Sequence, residues 1–408
     1  MPTLLQINAA LNRGSTGRIA EQIGLLAKKQ GWNVYIAHGA RYMSNSALQT
    51  IQVVTEKDEK LHALKSMALD AHGLGSKKAT QKLVEKIKEI KPDIIHLHNI
   101  HGYYLNYKVL FEYLATIDTP IVWTLHDCWT MTGHCAHFDA AGCEKWKSGC
   151  FDCPLKGEYP KSILLDRSAR NYAIKKELFG SLKNATIVPV SNWLGSIVKE
   201  SYLCNYPVNV INNGVDIEIF KPADSSKLRN KLGIGNKILL LGVATAWSRK
   251  KGLYDYIELS KHLPDKYQIV LVGIDNEIKK EIPSNIIAIE RTNSQHELAV
   301  LYSLADIVLN LSYEETFGLT TVEGFACGTP GIVYDKTASP ELMTPETGIV
   351  LKDVGDFKTI IDSIEIIQEK GKAHYSTACR ERAVKFYNKD DRFNEYIELY
   401  NTLMNRTH

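Results

Sequence analysis

The 408-residue sequence predicts an α/β fold of two Rossmann-like domains, each built on a parallel sheet covered on both faces. Three observations predict it. Short apolar runs alternate with helical segments along the whole chain. These runs lack the strict in–out alternation of a half-exposed sheet, so they read as strands buried on both sides. The strand–helix rhythm then restarts after residue 200, and the length suits two or three domains.

Taken in order, Leu4–Asn8 is a strand, Gly14-Ser15-Thr16-Gly17 a loop, and Ile19–Gln30 a helix with Ile23, Leu26 and Ala27 on one face. Val34–Ala37, Ile94–His98, Ile121–Leu125 and Ile187–Val190 follow as strands. The second series reads Val208–Asn212, Ile238–Ala244, Gln268–Gly273, Ile286–Ala288, Asp306–Asn310 and Gly331–Tyr334. We therefore expect domains at 1–190 and 191–385, with a boundary near Ser191. The terminal stretch 386–408 contains an amphipathic helix over Asp391–Leu403. No low-complexity stretch or short-period repeat interrupts this plan.

Apolar residues at 44% and charged residues at 23% are ordinary for a globular protein. No uncharged apolar run reaches the roughly 18–20 residues that span a bilayer. Met1–Asn8 lacks a basic flank and reads as a first strand, not a signal peptide. The expected compartment is the cytoplasm. Net charge is +3, but residues 1–190 hold 24 Lys+Arg against 17 Asp+Glu, and the remainder 25 against 29. Lys77, Lys78, Lys82, Lys86, Lys88 and Lys91 gather on or beside one helix. Such a bias suits an anionic membrane surface or a phosphorylated acceptor, and equally an ordinary solvated helix. It does not point to nucleic acid.

The chemistry concentrates in Glu314-Glu315-Thr316-Phe317-Gly318-Leu319-Thr320-Thr321-Val322-Glu323. Glu315 and Glu323 bracket a glycine turn between a buried strand and a helix. Amides at a helix start suit an anionic phosphate, and carboxylates accept strongly from sugar hydroxyls. A second strand end, Ala244–Leu253, carries Arg249, Lys250 and Lys251; fixed cations there can stabilise a departing diphosphate. His126-Asp127 ends the strand Ile121–Leu125, and His98-Asn99 ends the preceding one. Gly14 and Gly17 let backbone approach a ligand closely, but no GxGxxG pattern supports a dinucleotide cofactor. Asn213-Gly214-Val215-Asp216 reads as a turn joining the two domains.

The Glu315…Glu323 segment, with its Phe317-Gly318-Leu319 centre and Cys327-Gly328-Thr329-Pro330 beyond it, resembles the E-x7-E motif of family 4 retaining glycosyltransferases, which have the GT-B fold. The resemblance covers nearly the whole chain and is sharpest over residues 242–340. It implies two Rossmann-like domains with parallel sheets facing a central cleft, and a terminal helix returning to the first domain. It implies a nucleotide-sugar donor, UDP- ahead of GDP- on family frequency, and catalysis without a cofactor or metal. Catalytic roles fall on His126, Arg249, Lys251 and Glu315. Lys251 matches the family lysine, whereas Arg249 is displaced from the usual arginine position near Thr245 or Ala246. Donor binding falls on Gly14, Gly17, Phe317, Gly318, Leu319, Thr320 and Glu323, the last on the ribose hydroxyls. His98 and Asn99 fall on the acceptor side.

Five of eight cysteines lie between residues 128 and 153. Cys150-x-x-Cys153 has the spacing of a zinc knuckle, and Cys135 and Cys143 can complete a four-thiolate site, with His134 and His137 as alternative ligands. Disulfide or redox pairing and unlinked thiols stay open as alternatives, because Cys135-x7-Cys143-x6-Cys150 is not a standard ribbon spacing. A structural zinc would order the loop 126–154, which has no core of its own. The pattern from His126 to Pro154 resembles a subgroup of the family, of the colanic-acid type, that builds bacterial surface polysaccharide. This implies a glycan or polyprenyl-diphosphate-linked acceptor and a place at the inner face of the cell membrane. Rival readings are a sugar-nucleotide epimerase or phosphorylase-like enzyme on the same architecture, or a non-catalytic carbohydrate-binding protein.

Overall fold

The computed structural model describes residues 1–407 and resolves into two compact units, Met1–Asn212 with Phe393 onward, and Asn213–Arg392. The division falls at Asn212/Asn213, later than the Ser191 boundary expected from the sequence. The difference lies in the segment after Pro207. It was expected to open the second domain as a strand, Val208–Asn212, but it forms a single bridge to Ile187. Asn209 N–H donates to Ile187 O at 3.0 Å and Ile211 N–H to Pro189 O at 3.1 Å, so it stays with the first sheet.

The first unit holds β1 (Thr3–Asn8), β2 (Asn33–His38), β3 (Gln49–Gln52), β4 (Ile94–Leu97), β5 (Ile121–Leu125) and β6 (Ala185–Pro189). Their order is β3-β2-β1-β4-β5-β6, and every pair is parallel. The second unit holds β7 (Ile238–Val243), β8 (Tyr267–Val272), β9 (Ile286–Ile289), β10 (Ile307–Asn310), β11 (Gly331–Tyr334) and β12 (Gly348–Leu351). Read as β9-β8-β7-β10-β11-β12, it repeats the same doubly wound order, again all parallel. In this topology the winding reverses between β1 and β4, and between β7 and β10. In open sheets of this kind ligands bind beyond the carboxyl ends of the strands at such a reversal.

Burial explains the strands. Leu4, Leu5 and Ile7 of β1, Leu239, Leu240 and Leu241 of β7, and all four residues of β10 are buried. The terminal helix, Lys389–Thr407, adds Phe393, Tyr396, Ile397, Tyr400 and Leu403 to the core of the first unit, against Leu4, Ile94 and Val122. Gly14–Gly17, expected as a loop, is the first turn of a helix that runs Gly14–Lys29. Gly17 lies so close to Ala10 that a Cβ would stand 3.1 Å from the alanine's own Cβ. That glycine therefore serves helix–loop packing in this unit.

Candidate functional site

The two loops that leave the switch point of the second sheet carry the predicted donor residues. One follows β7 and runs from Ala244 to Gly252; the other follows β10 and runs from Leu311 to Gly318. They are stitched together. Tyr313 N–H donates to Lys250 O at 2.8 Å. Lys250 Nζ pairs with Glu314 at 2.9 Å, and Lys251 Nζ with Glu315 Oε1 at 2.7 Å. Gly252 adopts φ +74°, and a Cβ there would sit 2.1 Å from the Leu311 carbonyl oxygen. Only glycine permits this approach. Trp247 Nε1–H donates to Val272 O at 2.9 Å and ties the first loop to β8.

Beneath the stitch lies a buried carboxylate. Asp255 accepts from Tyr313 OH at 2.9 and 3.0 Å and from Tyr334 OH at 2.6 Å. Tyr334 lies on β11 and Tyr313 in the loop after β10, so Asp255 fixes where the β10 loop stands. Thr337 Oγ1 accepts from the Glu315 amide at 2.8 Å, and Glu315 O accepts from Ala338 N–H at 3.1 Å. Lys251 is one-third exposed and Glu315 about one-sixth, so the pair faces accessible space rather than the core. Arg249 is exposed in the same turn, Arg249–Lys251.

Gly318 precedes the helix Leu319–Ala326 with φ +99°. This left-handed cap turns the chain so that the first-turn amides of Leu319 and Thr320 open that helix, where no earlier carbonyl of the helix can satisfy them. Phe317 is buried and stacks edge-on with Tyr387, which anchors the turn. Glu323, on the same helix, accepts from Tyr302 OH at 2.9 Å. Lys251, Glu315, Phe317, Gly318, Leu319, Thr320 and Glu323 thus belong to one set of elements around the β7/β10 switch point. Arg249 is near them in sequence and is the least constrained member.

In the first unit, His98 and His126 end β4 and β5, and their rings stack 5.5 Å apart. A hydrogen-bond chain sets their protons. Gln6 Nε2 donates to Ala20 O at 2.8 Å, which leaves Gln6 Oε1 as acceptor for His98 Nε2 at 3.0 Å. His98 Nδ1 must then accept from His126 Nε2, 3.2 Å away. Burial holds both imidazoles neutral, with His126 lowered to about 4. Asn99 donates its amide to Asn8 Oδ1 at 3.2 Å, and its carbonyl accepts from Tyr104 OH at 2.9 Å. Gly14 opens its helix with φ +68° and open space around its α-carbon.

Next to His126 stands a pair that motif reading did not single out. His101 Nε2 lies 2.8 Å from Asp127 Oδ2, and His101 Nδ1 lies 3.2 Å from Tyr159 OH. Burial opposes ionisation of Asp127, but the charge and hydrogen bond of His101, with the Trp129 amide, outweigh it and hold the carboxyl well below its usual range. The signal was the Asp that follows His126. Its partner comes from the loop after β4, a proximity that the parallel β4/β5 pairing supplies.

The loop 126–154 folds as three short 3-10 turns, Trp129–Met131, Asp139–Ala141 and Lys145–Lys147. Buried Lys175 reaches into it from the helix Ser168–Phe179, donates to Trp129 O at 2.7 Å and Thr132 O at 3.0 Å, and lies 3.3 Å over the Trp129 ring. Cys135, Cys143, Cys150 and Cys153 line one cavity with His134, and all are free thiols. Among the described residues no group of three or more His, Cys, Asp or Glu side chains stands arranged as metal ligands. The hydrogen bond with Cys135 lowers the Cys153 thiol and raises that of Cys135. His134 Nδ1 lies 2.6 Å from Asp70 Oδ1, while its buried Nε2 lacks a hydrogen-bond partner.

Comparison with known proteins places this geometry. Two family models match the chain, glycosyltransferase family 4 over residues 18–219 and glycosyl transferases group 1 over residues 224–386. The putative colanic acid biosynthesis glycosyl transferase WcaC of Escherichia coli (strain K12) is 23% identical, over 98% of this chain and 100% of its own. Among solved structures, sucrose-phosphate synthase from Thermosynechococcus elongatus superposes with a TM-score of 0.74 at 16% identity, covering 100% of both chains. Anabaena Alr3699/HepE, solved in complex with UDP, gives 0.68 at 16% identity, over 98% of this chain and 100% of its own.

Proposed function

Because the chain belongs to glycosyltransferase family 4 and has the GT-B fold, we propose that it transfers a sugar, with retention of anomeric configuration, from a nucleotide-sugar donor to a glycan or lipid-linked glycan. The observation that carries this reading is the Lys251–Glu315 pair at the β7/β10 switch point, 2.7 Å apart and beside the Gly318 turn. A nucleoside diphosphate set on that turn meets first-turn amides and the Lys251 cation. Glu315, next to both, accepts from hydroxyls of the sugar ring, and Glu323 from the ribose. UDP is the favoured nucleotide: HepE, of like fold, has been solved with UDP and with UDP-glucose. Surface-polysaccharide synthesis is the favoured setting, from the full-length likeness to the colanic acid enzyme.

In the reaction the acceptor hydroxyl oxygen bonds to the anomeric carbon on the face from which the diphosphate departs. The carbon–oxygen bond to the diphosphate breaks, and the hydroxyl proton passes to a departing phosphate oxygen. Lys251, with Arg249 from the same turn, balances the negative charge that builds there, so no metal is required for this step. A thermal-shift screen against UDP-, GDP- and ADP-sugars, followed by anomeric analysis of the product by NMR, tests the reading. Stabilisation by none of the nucleotide sugars would reject the donor, and an inverted product would reject retention.

The cysteine cavity has a structural role in this reading. On ionisation, Cys135, Cys150 and Cys153, with Cys143 or the Nε2 of His134 as fourth ligand, would hold a zinc ion and lock the loop beside His126 and Asp127. Two features support it. Asp70 engages His134 Nδ1 and leaves Nε2 as the ring atom available to a metal, the arrangement of a carboxylate–histidine–metal unit. Burial pushes the Cys150 thiol up to about 11, and the Gly133 amide, 3.2 Å from Cys150 Sγ, works against that rise.

A further inference from the structure

The first sheet carries a line of polar side chains that runs through its core and ends at His126. Gln6 lies on β1, His96 on β4, His98 just past β4, and His126 just past β5. Parallel pairing sets Gln6 opposite His96 on neighbouring strands. Gln6 and His96 are fully buried and His98 nearly so, while His126 is half-buried. An amide and two imidazoles inside a sheet core are costly unless their polar atoms are met, so the way they are met carries information.

Gln6 has one orientation here. Its Nε2 donates to Ala20 O at 2.8 Å. Turning the amide over would set Oε1 against that carbonyl, and two acceptors repel. Gly24, one turn beyond Ala20 in the same helix, leaves the amide its space: a Cβ there would stand 2.7 Å from Gln6 Nε2. Oε1 therefore faces His98 Nε2 at 3.0 Å, and that nitrogen must carry the proton. A neutral imidazole has only one such proton, so His98 Nδ1 holds a lone pair. It accepts from His126 Nε2, 3.2 Å away. His126 is left with its proton on Nε2 and its own lone pair on Nδ1.

The rings that carry this message are clamped. A half-turn of the His98 ring would put carbons where both nitrogens stand and lose both hydrogen bonds. The ring also lies between two others, with the His96 centroid 3.9 Å away and the His126 centroid 5.5 Å away at an interplanar angle of 17°. His96 is itself gripped. Its Nδ1 is 2.6 Å from Tyr400 OH, its Nε2 2.8 Å from Thr124 Oγ1, and its ring stacks on Tyr396 at 5.3 Å. Both tyrosines come from the terminal helix Lys389–Thr407, so the chain's last helix braces a stack that begins on its first strand. Burial also keeps a second proton off His98 and His126, because the charged imidazole is the form it disfavours.

We propose that Gln6 is a positioning residue for the transfer reaction: through His98 it fixes the His126 proton on Nε2, so that His126 meets substrate at Nδ1 as a hydrogen-bond acceptor. An imidazole in that state takes a sugar hydroxyl and refuses an anionic oxygen, which has no proton to give. Its single proton is already committed to His98, so His126 does not act as an acid. The proposal rests on the reading of the chain as a sugar transferase with His126 at its site.

The test reads the tautomer directly. Long-range proton–nitrogen NMR spectra are recorded at neutral pH, without substrate, on the full chain labelled with nitrogen-15 in histidine. The His126 signals are those that His126→Gln removes. The parent should show a protonated Nε2 and an unprotonated Nδ1 at His126. Gln6→Met, of similar length but without the amide, should mix or reverse those two signals and lower kcat about tenfold, the worth of one hydrogen bond. Gln6→Glu, which keeps an acceptor oxygen toward His98, should restore the parent spectrum and most of the rate. A proton on His126 Nδ1 in the parent overturns the proposal, and that spectrum decides alone should Gln6→Met fail to fold. A Gln6→Met chain shown to be folded by circular dichroism also overturns it if His126 keeps the parent tautomer, or if the tautomer changes while the rate does not. So does a rate loss that Gln6→Glu fails to recover, because side-chain shape rather than the hydrogen bond is then at work. The spectra need no substrate, so failure of this proposal and failure of the transferase reading are told apart.

Discussion

Replacing Lys251 with Ala removes a cation that makes one 2.7 Å contact to Glu315 and a longer one, 3.4 Å, to the Glu314 carbonyl. The pair is partly exposed, so its loss should cost the fold only about 0.2–1 kcal/mol, the range of solvent-screened ion pairs. The effect on the reaction should be much larger. On the proposed reading Lys251 faces a leaving group whose negative charge grows in the transition state, and deleting one such contact raises the barrier by about 2–4 kcal/mol. At 1.36 kcal/mol per factor of ten, kcat should fall about 30- to 900-fold. The assay pairs steady-state transfer from the preferred nucleotide sugar with a urea unfolding curve on the same preparation. A conservative Lys251→Arg variant should recover part of the rate. Full turnover in Lys251→Ala would refute the assignment. A rate loss matched by a comparable loss of folding free energy would show the residue to be structural.

Three further outcomes are expected. Glu323→Ala should weaken nucleotide-sugar binding about ten- to a hundredfold by calorimetry, the worth of a charge-assisted hydrogen bond; unchanged affinity removes its ribose role. The first unit should lose stability in acid. Burial lowers His62 and His126 to about 4, and it lowers His72, His96 and His98 well below their ordinary value of 6.5. The unfolded chain therefore binds more protons as pH falls from 6.5 toward 4, and each histidine withdraws up to about 1.4 kcal/mol of stability per pH unit. A urea midpoint that stays flat across this window contradicts the buried neutral imidazoles. Protein purified under reducing conditions without added zinc should carry about one zinc per chain by elemental analysis, and Cys150→Ser/Cys153→Ser should carry none. A folded, metal-free parent chain rejects the zinc site.

Most strands were legible because burial on both faces leaves uninterrupted apolar runs, as in β1, β7 and β10. Two were missed for opposite reasons. β3, Gln-Thr-Ile-Gln, is a mostly exposed edge strand, so its sequence carries too little apolar signal. β12, Gly-Ile-Val-Leu, is a four-residue run that length alone does not separate from a helix fragment. The residues assigned to the donor were readable as a group because they sit beside one another in two short strings. The supports of those strings were not: Asp255 lies 58 residues from Tyr313 and 79 from Tyr334, and only the sheet brings them together. His101 was passed over for the same reason, since its partnership with Asp127 is a matter of strand pairing. The cysteine spacing pointed to a four-thiolate zinc site, and in the structure all four thiols line one cavity.

The join between the Lys250 carbonyl and the Tyr313 amide, with Gly252 against Leu311, bears on anyone who recombines homologous enzymes to change the sugar transferred. A crossover placed between residues 252 and 311 would separate two pieces shaped to each other, and a partner with any bulkier residue than glycine at 252 would jam against the inherited carbonyl. Both strings should travel together in a chimera, and substitutions meant to alter selectivity belong outside that seam.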